Sequence, residues 1–409
     1  MTSNASDTAS SRPRAQAPPM WVVAATVGSA IMGITLLTPA LPLLQQQFAA
    51  SGDAVQLQLT VYLIALAVGQ LICGTLSDSI GRRPLLLGGT FLYCLGGVLG
   101  LSADSIESLT VYRVIQGFGA SACLSMGRAM VNDCFARAEA ARHLATIQIM
   151  VAIAPILSLA LGGVLAELAG WQGALFVTSV AGAVVFALCL LTTTETHIQR
   201  TSIGSASQVI GIYRQLLLNP VFLSFTITGS LQVAMFFSMN GFLPFQYERN
   251  GLTPMQFGFW FSLTSVFYLI GNTCNRLYFV SRGIERAAMI GCSMCLLAVV
   301  LMFITQEAGL THPLSLVIPC CIFGFSNGII LANIMAGAMS AAGSYAGTGS
   351  GLAGAAQMAA GALFGSAIIA MGGAVDFTIA ALSMIAMSLL SLCSIRYVYK
   401  HRTTLNESY

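Results

Sequence analysis

The sequence predicts an all-α membrane protein of twelve spanning helices, and three observations predict it. Of 409 residues, 56% are hydrophobic and 8% charged, with a mean hydropathy of +0.82. Soluble domains carry roughly 25% charged residues, so the bilayer must solvate much of this chain. Apolar runs recur at 20–44, 56–76, 84–103, 109–131, 143–167, 172–193, 220–243, 255–276, 287–305, 313–339, 346–372 and 377–399. Each is near the ~20 residues that cross ~30 Å of hydrocarbon. The cations follow the same alternation. With the N-terminus inside, the inner segments hold fourteen Arg and Lys residues, the outer loops hold Arg249 alone, and Arg113 and Arg128 fall within the fourth run. That is a positive-inside asymmetry, and it calls for an even number of spans with both termini cytoplasmic.

Taken in order, residues 1–19 are polar, rich in Ser, Ala and Pro, and read as a disordered cytoplasmic tail. No small-residue cleavage site marks the first run, so it reads as a span and not as a removed signal. The runs within 20–194 form one six-helix bundle. The longest internal gap, 195–219, carries Glu195, Arg200 and Arg214 and reads as a cytoplasmic linker. A second six-helix bundle occupies 220–399, and 400–409 reads as a second cytoplasmic tail. The 41 glycines suit helices whose backbones approach closely in lipid. The eleven Cys fall almost entirely inside apolar runs, and the four His at helix ends or in loops. The thiols read as small buried apolar residues, with no metal site and no cofactor expected.

Polar and aromatic residues inside apolar runs mark a pathway. Tyr62, Arg113, Gln116, Gln232, Asn240, Asn333 and Gln357 are candidates for the wall of a central cavity, with Phe236 as an apolar part of it. Each could instead make a plain helix–helix hydrogen bond. Arg113 shares one helical face with Gln116, Gly117 and Ala120. An arginine one to two turns into a membrane helix faces a cavity or a partner, or snorkels to the headgroups. The fourteen carboxylates all sit in loops, tails or helix ends. A strongly cationic cargo would meet no fixed counter-charge, so the expected cargo is a neutral, zwitterionic or anionic small molecule.

Two motifs carry a family resemblance. The segment after the second run reads Gly74-Thr-Leu-Ser-Asp78-Ser-Ile-Gly81-Arg82-Arg83-Pro84. It resembles the GxLxDxxGRR loop of the major facilitator superfamily. The fourth run contains Arg113-Val-Ile-Gln116-Gly117-Phe-Gly119-Ala120 and ends Arg128-Ala-Met-Val-Asn-Asp133. The first piece looks like the second superfamily signature. The second matches the RAxVxD ending of the Bcr/CflA drug–proton antiporters. Thr38-Pro39-Ala40-Leu41-Pro42 and the glycine-rich stretch from Gly347 to Gln357 agree with that subfamily. The resemblance implies two six-helix bundles around a central cavity, opened to either side by rocking. It also implies a cytoplasmic latch of Gly74, Asp78, Gly81, Arg82, Arg83, Arg128 and Asp133, in which Arg82 pairs with Asp133 and Asp78 caps the eleventh helix.

The chain also departs from the subfamily. Thr35 stands where the first helix usually carries an aspartate, and a threonine does not titrate near neutral pH. The fifth run lacks the proline of GPxxGG at Leu159 but keeps Gly162 and Gly163, with Pro155 one turn earlier. Those three residues are the candidate hinge of that helix. Thr35 is also counted among the cavity residues. The expected function is multidrug or small-molecule efflux across the inner membrane, with a proton as candidate coupling ion and a monomer as the working unit. The alternative is a proton-independent facilitator or exporter of a metabolite or siderophore. A membrane enzyme would need a His, Cys or carboxylate cluster in the cavity, and a sensor an attached signalling domain. Lipid is the expected surrounding partner, and nucleic acid is not a partner.

Overall fold

The structure, a computed structural model, describes residues 17–135, 137–196, 206–373 and 375–406. The expected tail at 1–16, the stretch 197–205 and the side chain of Asp78 lie outside the described residues. All regular structure described is helical. In chain order the helices are α1 Met20–Thr35, α2 Leu41–Gln47, α3 Gly52–Ile80, α4 Arg82–Leu101, α5 Ile106–Cys134, α6 Arg137–Thr192, α7 Ala206–Leu218, α8 Pro220–Arg249, α9 Pro254–Cys274, α10 Ile284–Glu307, α11 Leu314–Ala342, α12 Ala346–Ile368 and α13 Phe377–Asn406. Among the described residues, nine stretches are long and apolar enough to cross a membrane. One of them, Arg142–Thr192, is 51 residues long. It bends at Gly170, whose φ of +62° leaves the helical region.

Local chemistry sets the helix ends. Ser51 Oγ accepts from Ala54 N at the start of α3, and Ser105 with Ser108 forms a capping box on α5. Thr253 with Gln256 does the same for α9, and Asn219 caps α8 ahead of Pro220. The first apolar run is interrupted at Thr38–Ala40, because Pro39 and Pro42 remove backbone donors. Two boundaries differ from expectation. Residues 74–80 belong to α3, and only Gly81 separates it from α4, so the signature expected as a loop is mostly helix. No residue before Gly81 breaks the helix. Likewise α13 runs on through Lys400 to Asn406, where a tail was expected, since nothing in that polar stretch stops propagation. The linker carries α7, which buries Leu216 and leaves Ile210, Leu217 and Leu218 exposed.

The helices up to α6 pack with one another, as do those from α8 onward. One continuous apolar core fills the second set, with Phe222, Phe242, Phe257, Phe261 and Phe323 buried in it. The sets meet along α3 and α12, along α6 and α9, and where α2 reaches α8. The α6–α9 crossing is tight at glycines. A methyl on Gly163 would lie 2.6 Å from Pro254 O, and one on Gly258 would lie 3.1 Å from Gly163 Cα. Small residues permit this approach, which gives van der Waals contact that lipid cannot match.

Candidate functional site

Three groups of polar side chains are built into the helices. The first sits at the arginine-rich end of α3, α4, α5 and α6. Arg82 Nε donates to Asp133 Oδ2 at 3.0 Å, and Thr196 Oγ1 donates to the same oxygen at 3.2 Å. Arg82 Nη1 also donates to Ser77 Oγ. Glu195 Oε1 accepts from Arg82 N at 2.9 Å and Thr196 N at 3.0 Å, and Glu195 Oε2 accepts from Arg83 N at 3.3 Å. Its carboxylate therefore covers the N-terminus of α4, where helix amides and the dipole favour an anion. Arg83 donates to Thr193 O at 2.7 Å and Leu190 O at 3.1 Å, fastening α4 to the end of α6. Gly81 must be glycine twice over. Its φ is +110°, and a Cβ there would run into Glu195 Oε2.

The Arg82–Asp133 pairing implied by the resemblance is thus formed, inside the first set of helices. Gly74 lies on the exposed face of α3 with open space around its Cα, so no close approach demands glycine there. Arg128 is exposed on α5. In the sequence Glu195 reads only as a carboxylate of the linker 195–219. Its position opposite an arginine pair is the signal that could have assigned it.

The second group surrounds Arg113, which is 2% exposed. Its Nη1 donates to Gln116 Oε1 at 2.6 Å, its Nε to Gln58 O at 3.4 Å, and its guanidinium lies 4.3 Å from the Tyr62 ring centre. Stacking on an aromatic face is favourable for a desolvated guanidinium. Tyr62 donates to Ala30 O at 2.9 Å, and Gln116 to Thr178 Oγ1 at 3.3 Å. Among the described residues no carboxylate pairs with Arg113. In this conformation Arg113, Tyr62 and Gln116 are interior to the first set and tie α1, α3, α5 and α6, where a cavity wall was expected. The arginine does not snorkel.

The third group lies at the seam between the sets and on the helices that flank it. Thr35 shares a hydrogen bond with Ser158 Oγ and donates to Ile31 O at 3.2 Å. Thr38 Oγ1 donates to Asn240 Oδ1 at 3.5 Å, and Thr60 and Ser366 share a hydrogen bond of 2.5 Å. Phe236 is partly exposed and packs 5.4 Å from Phe237 and 6.3 Å from Phe261, ring centre to ring centre. Gln357 is also partly exposed, beside Gly229. Further along, Gln46 Nε2 donates to Glu248 Oε1 at 2.7 Å, and Met255 N to Glu167 Oε1 at 3.1 Å. A cavity of about 290 Å³ opens on the seam of α3 and α12 beside Gln56 and Ser366.

Two further expected cavity residues are elsewhere. Gln232 is buried between α8, α10 and α13, donating to Ser391 Oγ at 2.9 Å and accepting from Cys295 Sγ at 3.3 Å. Asn333 is buried on α11 and donates to Asn275 Oδ1 at 2.8 Å. A polar residue in an apolar run needs partners, and neighbouring helices supply them as well as a cavity can. The helix-five residues also read differently. Pro155 leaves α6 continuous, Gly162 packs against Leu36 O, and the bend comes at Gly170.

Residues 23–366 match the family model described as Major Facilitator Superfamily. A bicyclomycin resistance protein homolog of Haemophilus influenzae is 26% identical over 83% of this chain and 85% of its own length. An uncharacterized MFS-type transporter of Bacillus subtilis is 30% identical over 79% of this chain and 81% of its own. The inward-facing, unoccupied crystal structure of a bacterial homolog of the human lysosomal transporter Spinster superposes with a TM-score of 0.70 at 14% identity, covering 93% of this chain and 97% of that one. At that identity the likeness is one of fold.

Proposed function

This chain belongs to the Major Facilitator Superfamily, and we propose that it exports small molecules across the inner membrane by alternating access, as a monomer with both termini cytoplasmic. It is a transporter and not an enzyme. The proposed topology is twelve crossings in two six-helix bundles, with α6 counted twice through its bend at Gly170 and with α5 and α9 as crossings. The arginine-rich end then faces the cytoplasm. The observation that carries the reading is the set of bonds joining the bundles toward the arginine-poor end: Thr38 to Asn240, Gln46 to Glu248, and Met255 N to Glu167. A carrier closed to the outside and loaded from the cytoplasm would have such bonds. A relative named for bicyclomycin resistance supports drug-like cargo and the Bcr/CflA branch.

Cargo is proposed to be neutral, zwitterionic or anionic, because Arg113 carries a buried positive charge with no carboxylate beside it among the described residues, a charge that the rocking of alternating access would have to bring to the cavity it does not line here. Proton antiport is the proposed drive, coupled through a group other than Thr35. The test uses purified protein in liposomes that hold a pH-sensitive dye, with chloramphenicol as a neutral probe and no imposed gradient. Proton movement on addition of probe supports antiport. Probe movement without protons selects the proton-independent facilitator. Arg113→Ala should lower transport of a carboxylate-bearing probe at unchanged protein level, and unchanged transport would refute the cargo reading.

A further inference from the structure

We propose that Gln56 is the peg of the outer gate: its amide, carried by α3 of the first bundle, seats in a glycine-walled hole between α8 and α12 of the second, and the carbonyl it strands there keeps the closure reversible. The inference rests on the proposed function, which places this seam at the outer face of a carrier closed to that side. Gln56 stands in the second turn of α3 and is 2% exposed. Gln58, two residues on and so on another face of the helix, donates to Ile106 O at 3.1 Å and to Thr110 Oγ1 at 2.6 Å inside its own bundle. Gln56 crosses the seam instead. A Cβ on Gly241 of α8 would collide with Gln56 Oε1 and lie 2.8 Å from its Cδ, and a Cβ on Gly365 of α12 would lie 3.3 Å from its Nε2. The three atoms nearest to that added carbon at 241 all belong to Gln56. Gly241 is inside α8, so no turn requires glycine there. The space it leaves is filled by one side chain, and that side chain comes from the other bundle.

The seat lies among other contacts between the bundles. One turn deeper along α3, Thr60 shares its 2.5 Å hydrogen bond with Ser366, and Asn240, next to Gly241, accepts from Thr38 Oγ1 at 3.5 Å. What the peg adds follows from its chemistry. Its shape gives close packing, which holds membrane helices together. Its polarity works the other way. Gln56 Oε1 is buried without a hydrogen-bond partner among the described residues. A carbonyl so placed forfeits the bonds that water gives it once the seam parts. The closed gate therefore gains contact and loses solvation at a single side chain. An apolar peg of the same length would keep the contact and escape the loss, and would hold the gate shut more firmly. A carrier that opens at every turnover needs its two states within reach of each other, and the stranded carbonyl narrows the gap. Gln56 is a positioning residue in this account, and touches no cargo.

The test is double electron–electron resonance on the full chain in lipid nanodiscs, with spin labels on genetically encoded residues at 104 and 310, exposed positions that the topology puts in outer loops of different bundles. Chloramphenicol is added at a concentration that populates both long and short distances. Gly241→Ala fills the seat while the flexible end of Gln56 moves aside, and should raise the ratio of long to short distances about fivefold or more. Gln56→Met keeps the length and removes the carbonyl, and should lower the ratio about fivefold or more. In a Gln56→Ala background the seat is empty, so Gly241→Ala should leave the ratio as it finds it. A ratio that ignores Gly241→Ala, or that responds to it equally with Gln56→Ala present, would overturn the peg. So would a ratio that Gln56→Met leaves unchanged or raises. In each case two populations remain and the carrier reading stands. One distance only, in every variant and with or without chloramphenicol, would overturn both.

Discussion

Gly81→Ala is the substitution on which the arginine-rich cluster can be tested quantitatively. Gly81 has φ +110° and ψ 161°, a region that is essentially glycine-only and costs a substituted residue about 1–3 kcal/mol. Its new Cβ would also collide with Glu195 Oε2 and push the carboxylate off Arg82 N and Arg83 N. Losing hydrogen bonds to a charged acceptor costs about 1.5–3 kcal/mol. Glu195 is partly exposed, so water recovers some of that and the lower half of the range applies. The expected total is about 2.5–5 kcal/mol. Glu195→Ala alone should cost about 1.5–2 kcal/mol by the same bonds. The two costs overlap, since part of the alanine penalty acts through Glu195. In a Glu195→Ala background, Gly81→Ala should fall to the backbone term, about 1–3 kcal/mol. Equilibrium unfolding in mixed micelles measures all four corners of the cycle. Additivity within about 0.5 kcal/mol would refute the claim that Gly81 is small for the sake of Glu195.

Three further outcomes are expected. Thr35→Asp places a titratable carboxyl at a site that is 1% exposed beside Ser158, so transport of the probe should gain a dependence on the pH gradient, and an unchanged dependence refutes the reading that this position governs coupling. Gly163→Leu forces a side chain against Pro254 O and should part the bundles at the outer seam, seen as longer distances between labels at 104 and 310; unaltered distances would mean the crossing is not the closed gate. Gln232→Leu strands Ser391 and Cys295 and should cost about 1–3 kcal/mol while the relative rates for different cargo stay the same; a changed cargo profile would return Gln232 to the cavity.

The comparison of sequence with structure divides along one physical line. Helix existence is a matter of local hydropathy, and the charge alternation is a matter of counting, so an all-helical membrane chain and its two kinds of end were readable before any packing was known. Helix ends matched the apolar runs where a cap and a proline marked them, as at Asn219 and Pro220. They did not where a polar stretch continued the helix, as at 74–80 and 400–406. The Arg82–Asp133 pair was reachable through the resemblance, because a recurring motif carries geometry that a single sequence does not.

What the sequence determined by itself is therefore the solvent of the chain, its helical class, and the identity of the groups that must find partners. Which partners they find was decided by tertiary packing alone. Arg113 stacks on Tyr62, Gln232 is closed off by Ser391 and Cys295, and Glu167 meets an amide of α9. Inside lipid every buried polar group has to be satisfied, but the requirement is blind to whether a cavity, a neighbouring helix or the opposite bundle does it. Hydropathy reports the need, and only the three-dimensional contacts show how it is met.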